Sequence, residues 1–505
     1  MTMIKTARLL VLLVLGLVAG VIPASSSSQT ISWQKRVDPW VLENAQAGKT
    51  EFLIFLSKQA DLSRAASLPN KLEKGRYVYE TLHTLAERTQ KPILEKLKAL
   101  GVEYRPYWAA NMIWAAGDLA AVQAVAGLPD VAHLYANPKV QLDQPEKPVE
   151  TGPRSPSLGL EWNIHLVNAD DVWAAGFTGQ GAVIGGADTG YAWDHPALKN
   201  QYRGWDGSTA NHNYTWHDSI HSDITGGGNR CGIDSKIPCD DGIHGTHTMG
   251  IMVGDDGAGN QIGMAPGARW IGCRNMEDNT GTPATYAECY QWFIAPTDLN
   301  NANPDPSKAP DVINNSWYCP EAEGCTDPNV LLTVVNNVRA AGILTVHSAG
   351  NQGPTCSSIR YAAGMYDASF SVGNTMSNDE IYSSSSRGPV TADGSGRLKP
   401  DISAPGTGIR SSIPGGYTSL TGTSMAAPHV AGMAALLISA RPELAGQVVQ
   451  IEYIINHSAI PRTTTDGCGN LPATAIPNNT YGWGRIDAWA AFKNRFWYFF
   501  PSIYR

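Results

Sequence analysis

At 505 residues the chain exceeds what one hydrophobic core usually holds, so removable segments or more than one folded unit are expected. Charged residues make up 16% while glycine (51) and proline (32) are plentiful, which excludes a charged disordered chain and suits a compact core with many loops. A formal net charge of -8, with no long run of like charge, offers no basic footprint for nucleic acid.

Lys5 and Arg8 precede an apolar run over residues 9–22, and small residues follow over 24–28. These are the three regions of a secretory signal peptide, so residues 1–28 are read as a removed leader and the chain as secreted. The run is shorter than the roughly 18 residues that span a bilayer, and no stable membrane insertion is expected.

Within residues 29–142, a small unit begins near residue 49. Residues 52–56 form a short apolar strand candidate. Val78, Leu82 and Leu85, then Ile93, Leu94 and Leu97, recur at helical spacing; Pro92 is expected to kink or break this helix and Gly101 to close it. Extended segments follow at 104–108 and 113–116. Asp118 is placed to cap a second helix carrying Leu119, Val122 and Val125, which ends at Gly127 before a strand at 131–135. The order β-α-β-β-α-β makes a four-stranded sheet with two helices on one face, the ferredoxin-like plan.

Four prolines interrupt residues 143–158, which read as a cleavable linker. From 159 to 492, apolar strand-like runs at 182–187, 312–315, 343–348 and 369–373 alternate with helical patterns, indicating an α/β domain around a parallel sheet. The tail, 493–505, carries the aromatic run Phe496-Trp497-Tyr498-Phe499-Phe500. It suits docking on the domain or on a partner.

All eight cysteines lie beyond residue 230, which after an export signal favours disulfides. Cys231 with Cys239, and Cys319 with Cys325, are spaced to close short loops, although eight cysteines allow 105 connectivities. No Cys-x-x-Cys pair is present, and no metal site is predicted.

Residues 183–187 read as a buried strand that delivers Asp188 at its C-terminal end, where open α/β sheets place their sites. An Asp in such a position is by itself commonly a loop or cap residue. In Asp241-Gly242-Ile243-His244-Gly245-Thr246-His247, His244 opens a helix beside glycines that permit close approach. His244 and His247 as paired metal ligands is the rival, but the Glu of His-Glu-x-x-His is missing. Gly422-Thr423-Ser424-Met425-Ala426-Ala427-Pro428-His429 opens an apolar helix, so the Ser424 hydroxyl sits at the positive end of the helix dipole. Ser348-Ala349-Gly350-Asn351 follows an apolar strand and presents an amide able to donate to an oxyanion.

Asp188-Thr189-Gly190, His244-Gly245-Thr246-His247, Ala349-Gly350-Asn351 and Gly422-Thr423-Ser424-Met425-Ala426-Ala427-Pro428-His429 resemble the four signature segments of the subtilisin-like serine proteases, in that family's order. Within the family the resemblance runs to the bacillopeptidase F group through Asn275-Met276, residues 281–286, Asp311-Val312-Ile313-Asn314-Asn315-Ser316-Trp317 and Ser386-Arg387-Gly388-Pro389. The resemblance implies a three-layer α/β peptidase domain, preceded by a propeptide that assists folding and blocks the site until removed. It also implies a secreted serine endopeptidase acting on protein or peptide substrates, with Ser424 as nucleophile, His244 as general base and Asp188 as its orienter. Asn351 and the Ser424 backbone N–H would form the oxyanion hole, and Ser316-Trp317-Tyr318 the strand that pairs with substrate. No cofactor is required; structural calcium, common among relatives, leaves no short motif.

Four positions depart from the family pattern. Ile243 stands where glycine usually precedes the catalytic histidine, and a β-branched residue resists positive φ. Tyr318 replaces a glycine and is expected to narrow the primary specificity pocket and alter substrate preference. Ser384 replaces an aromatic residue and His347 an apolar one, both read as packing changes. Two rivals are weighed. A catalytically silent binding module on the same fold is opposed by the four intact chemical positions. An α/β-hydrolase esterase is opposed by the lack of Gly-x-Ser-x-Gly around Ser424.

Overall fold

The computed structural model describes residues 33–143 and 159–494. The segment read as a signal peptide (1–28), all but the first residue of the segment read as a linker, and all but two residues of the aromatic tail lie outside the described residues.

The N-terminal unit contains α1 (Pro39–Ala47), β1 (Thr50–Leu56), α2 (Lys71–Ala99), β2 (Glu103–Tyr107), β3 (Met112–Gly117), α3 (Leu119–Ala126), β4 (Val131–Ala136) and a short β5 (Val140–Gln141). Its four-stranded antiparallel sheet has the order β2-β3-β1-β4, the plan expected from the sequence. The preceding α1 was not foreseen. Asp118 accepts a hydrogen bond from Ala121 N at 3.0 Å, capping α3 as its position suggests. Gly101, at φ +67°, ends α2: its N–H reaches Lys98 O, and Val102 N reaches Leu97 O at 3.0 Å.

Of the kink or break expected at Pro92, the break does not occur, because the helix runs through it to Ala99. A helix-interior proline costs about 3 kcal/mol. Burial of Ile93 and Leu97 against the sheet offsets this with about 1.5–3 kcal/mol each.

Strand alternation sorts the sheet's two faces. Phe52, Ile54, Ile113 and Ala115 pack with α1, α3 and the end of α2, while Leu53, Met112 and Trp114 face the larger domain. Polar anchors sharpen that contact. Gln291 Oε1 accepts from Trp108 N (2.6 Å) and Ala109 N (3.0 Å), and Tyr107 OH donates to Glu288 (3.0 Å). Lys71 Nζ reaches Asp311 at 2.7 Å.

The larger domain is built from β6 (Val183–Asp188), β7 (Trp216–Asp218), α4 (His244–Val253), β8 (Arg269–Arg274), β9 (Met276–Glu277), β10 (Thr280–Gly281), α5 (Pro283–Ile294), β11 (Val312–Asn315), α6 (Leu332–Ala340), β12 (Leu344–Ser348), β13 (Phe370–Thr375), β14 (Ile402–Pro405) and α7 (Thr423–Ala440). A seven-stranded, wholly parallel sheet runs β14-β13-β12-β11-β6-β8-β7. Ile184, Val312, Leu344 and Val346 pack against α4 and α7; Ala187, Ile271 and Ile313 pack against α5 and α6. This is the three-layer α/β arrangement, and near-continuous apolar strands follow from both faces being covered. Helix α7 is long and apolar enough to cross a membrane, yet 89% of it is buried in this core.

The eight cysteines form four disulfides. Cys231–Cys239 and Cys319–Cys325 are the two short loops anticipated; Cys273–Cys289 and Cys356–Cys468 join elements 16 and 112 residues apart.

Candidate active site

Asp188 is the last residue of β6 and His244 the first of α4, so each side chain stands at an element end. His244 Nδ1 lies 2.8 and 3.0 Å from the two Asp188 carboxylate oxygens. The carboxylate also accepts from Thr189 N (2.8 Å) and Thr248 Oγ1 (3.3 Å). With Nδ1–H held by Asp188, Nε2 is the lone-pair nitrogen, and it is buried with no hydrogen-bond partner. The first turn of α4 approaches the Asp188 loop so closely that a Cβ on Gly245 would fall 2.1 Å from Gly190 O.

Asp240, which sequence reasoning missed, ties these two segments together. It accepts from Thr189 Oγ1 (2.8 Å) and from both Thr246 N (3.0 Å) and Thr246 Oγ1 (2.5 Å). Burial pushes its carboxyl up to about 6. No local motif marks it, because one partner, Thr189, lies just beyond the end of β6 and the other, Thr246, in the first turn of α4. Ile243 has φ -145°, so the concern that its β-branched side chain would resist positive φ does not apply; it packs beside Ile251 and Met425.

Ser424 is the second residue of α7, which packs against α4. Its Oγ donates to Ser316 O at 3.2 Å. Asn351 lies just beyond β12. Its Oδ1 accepts from Thr423 N and Thr423 Oγ1, both at 2.9 Å, which fixes the amide and leaves Nδ2 as a directed donor. That donor meets Asp143 Oδ2 at 3.1 Å.

Of the three residues expected to bind substrate, Ser316 exchanges hydrogen bonds with Ser424, and Tyr318 OH donates to Asp143 at 2.8 Å. The Trp317 side chain is part of the core, stacked on Tyr286 with ring centroids 3.9 Å apart and donating to Ala187 O. The neighbouring edge that the sequence left unmarked is β10, which pairs antiparallel with β5. Two-residue strands carry too little periodicity to be read.

His247, the metal-ligand rival, turns Nε2 to Ile409 O and Thr418 O, and burial together with His244 pushes it down to about 3. His429 donates from Nδ1 to Met425 O, accepts from Asn163 at Nε2, and is lowered by burial to about 4. His347 meets Tyr290 OH at 3.1 Å, a packing role, and is lowered by burial and then by Lys399 to about 3. Because the folded values lie below the ordinary 6.5, the unfolded chain takes up protons first as pH falls, and stability present above pH 6.5 is lost below it. At about pH 5 each histidine removes about 2 kcal/mol. Urea unfolding of a Ser424→Ala protein at about pH 7.5 and 5 is expected to show a loss of several kcal/mol.

A family model described as the subtilase family matches residues 179–484. The chain belongs to the subtilase family. This subtilase is 34% identical over 455 residues to bacillopeptidase F of Bacillus subtilis (strain 168), covering 86% of this chain and 30% of that protein. It is 34% identical to subtilisin E of the same organism over 45% of this chain and 54% of that protein. With subtilisin DY of Bacillus licheniformis it is 30% identical over 58% of this chain and 89% of the relative. The chain thus spans under a third of the length of bacillopeptidase F and about half that of subtilisin E.

Among the described residues, one group brings three ligand-type side chains of this subtilase together: Asp38, His133 and Asp327, with atoms within 4.8 Å of one another. It does not fit calcium, which takes six to eight oxygens. Asp38 is already engaged by His133 at 2.7 Å and by Ala136 N at 2.9 Å, and Asp327 caps Asn329.

Proposed function

We propose that the protein is a secreted serine endopeptidase that hydrolyses peptide bonds through an acyl-enzyme on Ser424 and is made as an inhibited precursor. The observation carrying this reading is the Asp188–His244 pair, with Nε2 left free to accept, in a subtilase whose Asn351 amide is aimed by Thr423. Ser424 Oγ attacks the substrate carbonyl and passes its proton to His244 Nε2. Asp188 holds the imidazole in the required tautomer and stabilises the imidazolium. Asn351 Nδ2 and the Ser424 N–H stabilise the oxyanion. His244 then protonates the leaving amine, and water repeats the sequence on the ester. The chain supplies every group these steps need, and no cofactor takes part.

Residues 29–142 act as the propeptide, 143–158 as the cleaved linker and 159–492 as the peptidase domain. Support for the inhibited state comes from β5, which occupies the β10 edge while Asp143 engages the Asn351 donor. The leader at residues 1–28 and four disulfides support export to an oxidising compartment.

A serine-directed phosphonate tests the assignment: the processed protein is expected to gain one adduct, mapped by mass to the peptide holding Ser424. No adduct, together with no proteolysis, would end this reading. Asn351→Ala removes one oxyanion donor and is expected to lower kcat roughly a hundred- to a thousandfold with little change in KM, as steady-state kinetics would report.

A further inference from the structure

The end of the N-terminal unit lies along the cleft as a peptide would. Gln141 pairs with Thr280 and Val140 with Gly281 in antiparallel register, and Leu142 N donates to Asn279 O at 2.7 Å. Gln141 Nε2 also reaches Thr280 Oγ1 at 2.7 Å. Val140 and Leu142 are buried. The next residue, Asp143, meets two hydrogen-bond donors. Its carboxylate accepts from Tyr318 OH at 2.8 Å and from Asn351 Nδ2 at 3.1 Å.

Tyr318 is a built donor rather than a chance contact. Its ring stacks on Tyr361, with centroids 5.3 Å apart and planes 18° apart, and Gln352 Nε2 donates to its oxygen at 2.7 Å. A phenol that accepts from an amide has its own O–H directed outward, here at the carboxylate. Burial, then the charge of Asp143, hold the Tyr318 phenol well above its ordinary range, so it remains protonated and donating. Gln352 is anchored in turn, its N–H reaching Ser386 Oγ at 3.0 Å and its Oε1 accepting from Asn351 N at 3.2 Å. The chain Gln352 to Tyr318 to Asp143 therefore runs from a fixed amide to a charged acceptor.

We propose that Tyr318 and Gln352 make the primary specificity pocket a receptor for acidic side chains, so that the enzyme cuts on the carboxyl side of Asp and Glu, beginning with the bond from Asp143 to Gln144. This rests on the serine endopeptidase reading above. A carboxylate accepts the Tyr318 hydroxyl in a charge-assisted bond, stronger than one to an amide oxygen, and a side chain that cannot accept leaves that hydroxyl unpaired. At the first cut, Asn351 Nδ2 leaves the Asp143 carboxylate, which keeps Tyr318, for the Asp143 carbonyl oxygen; Ser424 Oγ bonds to that carbonyl carbon, and the C–N bond to Gln144 breaks. The freed amine leaves with the proton held on His244. Water then splits the ester, its hydroxyl going to Asp143 and its proton, through His244, back to Ser424.

The test uses the full chain and four peptides identical except for Asp, Glu, Asn or Phe before the scissile bond. The wild type is expected to process to a form beginning at Gln144, read by mass, and to show kcat/KM for Asp and Glu about tenfold or more above Asn and Phe. Tyr318→Phe and, separately, Gln352→Leu are each expected to shrink the Asp-to-Phe ratio about tenfold. Asp143→Glu should process as wild type does, and Asp143→Phe far more slowly. Equal cleavage after Asp, Asn and Phe, or a ratio unmoved in both variants, overturns the proposal while leaving the peptidase reading intact. Refusal of every peptide together with absent phosphonate labelling defeats the peptidase reading itself.

Discussion

Ser424→Ala is expected to reduce kcat by about a millionfold and to leave the chain joined to its N-terminal unit. The hydroxyl is the only group proposed to form the acyl-enzyme, so its loss closes that route and leaves only what the oxyanion donors and binding supply, about a thousand- to ten-thousandfold over water. Ser424 is 4% exposed, and its Oγ makes one hydrogen bond, to Ser316 O at 3.2 Å. Trimming to alanine removes one atom and about 1 kcal/mol of stability. A thermal melt shifted by only a few degrees, beside an unprocessed mass, separates chemistry from misfolding. On the proposed mechanism the three groups act as a unit, so adding His244→Ala should reduce the rate little further.

Asp188→Asn is expected to cost about ten-thousandfold in kcat. In the wild type, both carboxylate oxygens accept from His244 Nδ1, at 2.8 and 3.0 Å, while Thr189 N and Thr248 Oγ1 hold the carboxylate in place. An amide of the same shape keeps the packing but turns its NH2 to Nδ1. That shifts the imidazole proton to Nε2, the position that must accept from Ser424. KM should move far less than kcat, since Asp188 is buried beneath the histidine and does not touch substrate. Equal loss in KM and kcat would instead point to a collapsed cleft.

Most of the framework is legible along the chain because it is encoded over short distances. Asp118 caps α3 through Ala121 N three residues on, and α2 ends at Gly101 through bonds from Gly101 N to Lys98 O and from Val102 N to Leu97 O. The β-α-β-β-α-β order, the strand ending at Asp188 and the helices opening at His244 and Thr423 all follow from periodicity and end signals. Disulfides closing loops of 6 and 8 residues are anticipated for the same reason.

Contacts between distant segments needed the tertiary structure. Pro92 argued for a kink or a break, but no break occurs and the helix runs on with Ile93 and Leu97 buried. Ile243 carried a concern about backbone conformation that its actual φ of -145° removes. Cys356–Cys468 spans 112 residues, and Asp240 joins the segment after β6 to the first turn of α4, which no shared motif connects. Above all, the sequence singled out Tyr318 as a change to the pocket, yet said nothing of what it meets. Only the pairing of Val140 and Gln141 with β10 carries Asp143 to the Tyr318 hydroxyl, 175 residues away in the chain. Local order is written in hydrogen bonds within a turn or two; which edge a two-residue strand joins is decided by the surfaces that become buried when the two units dock.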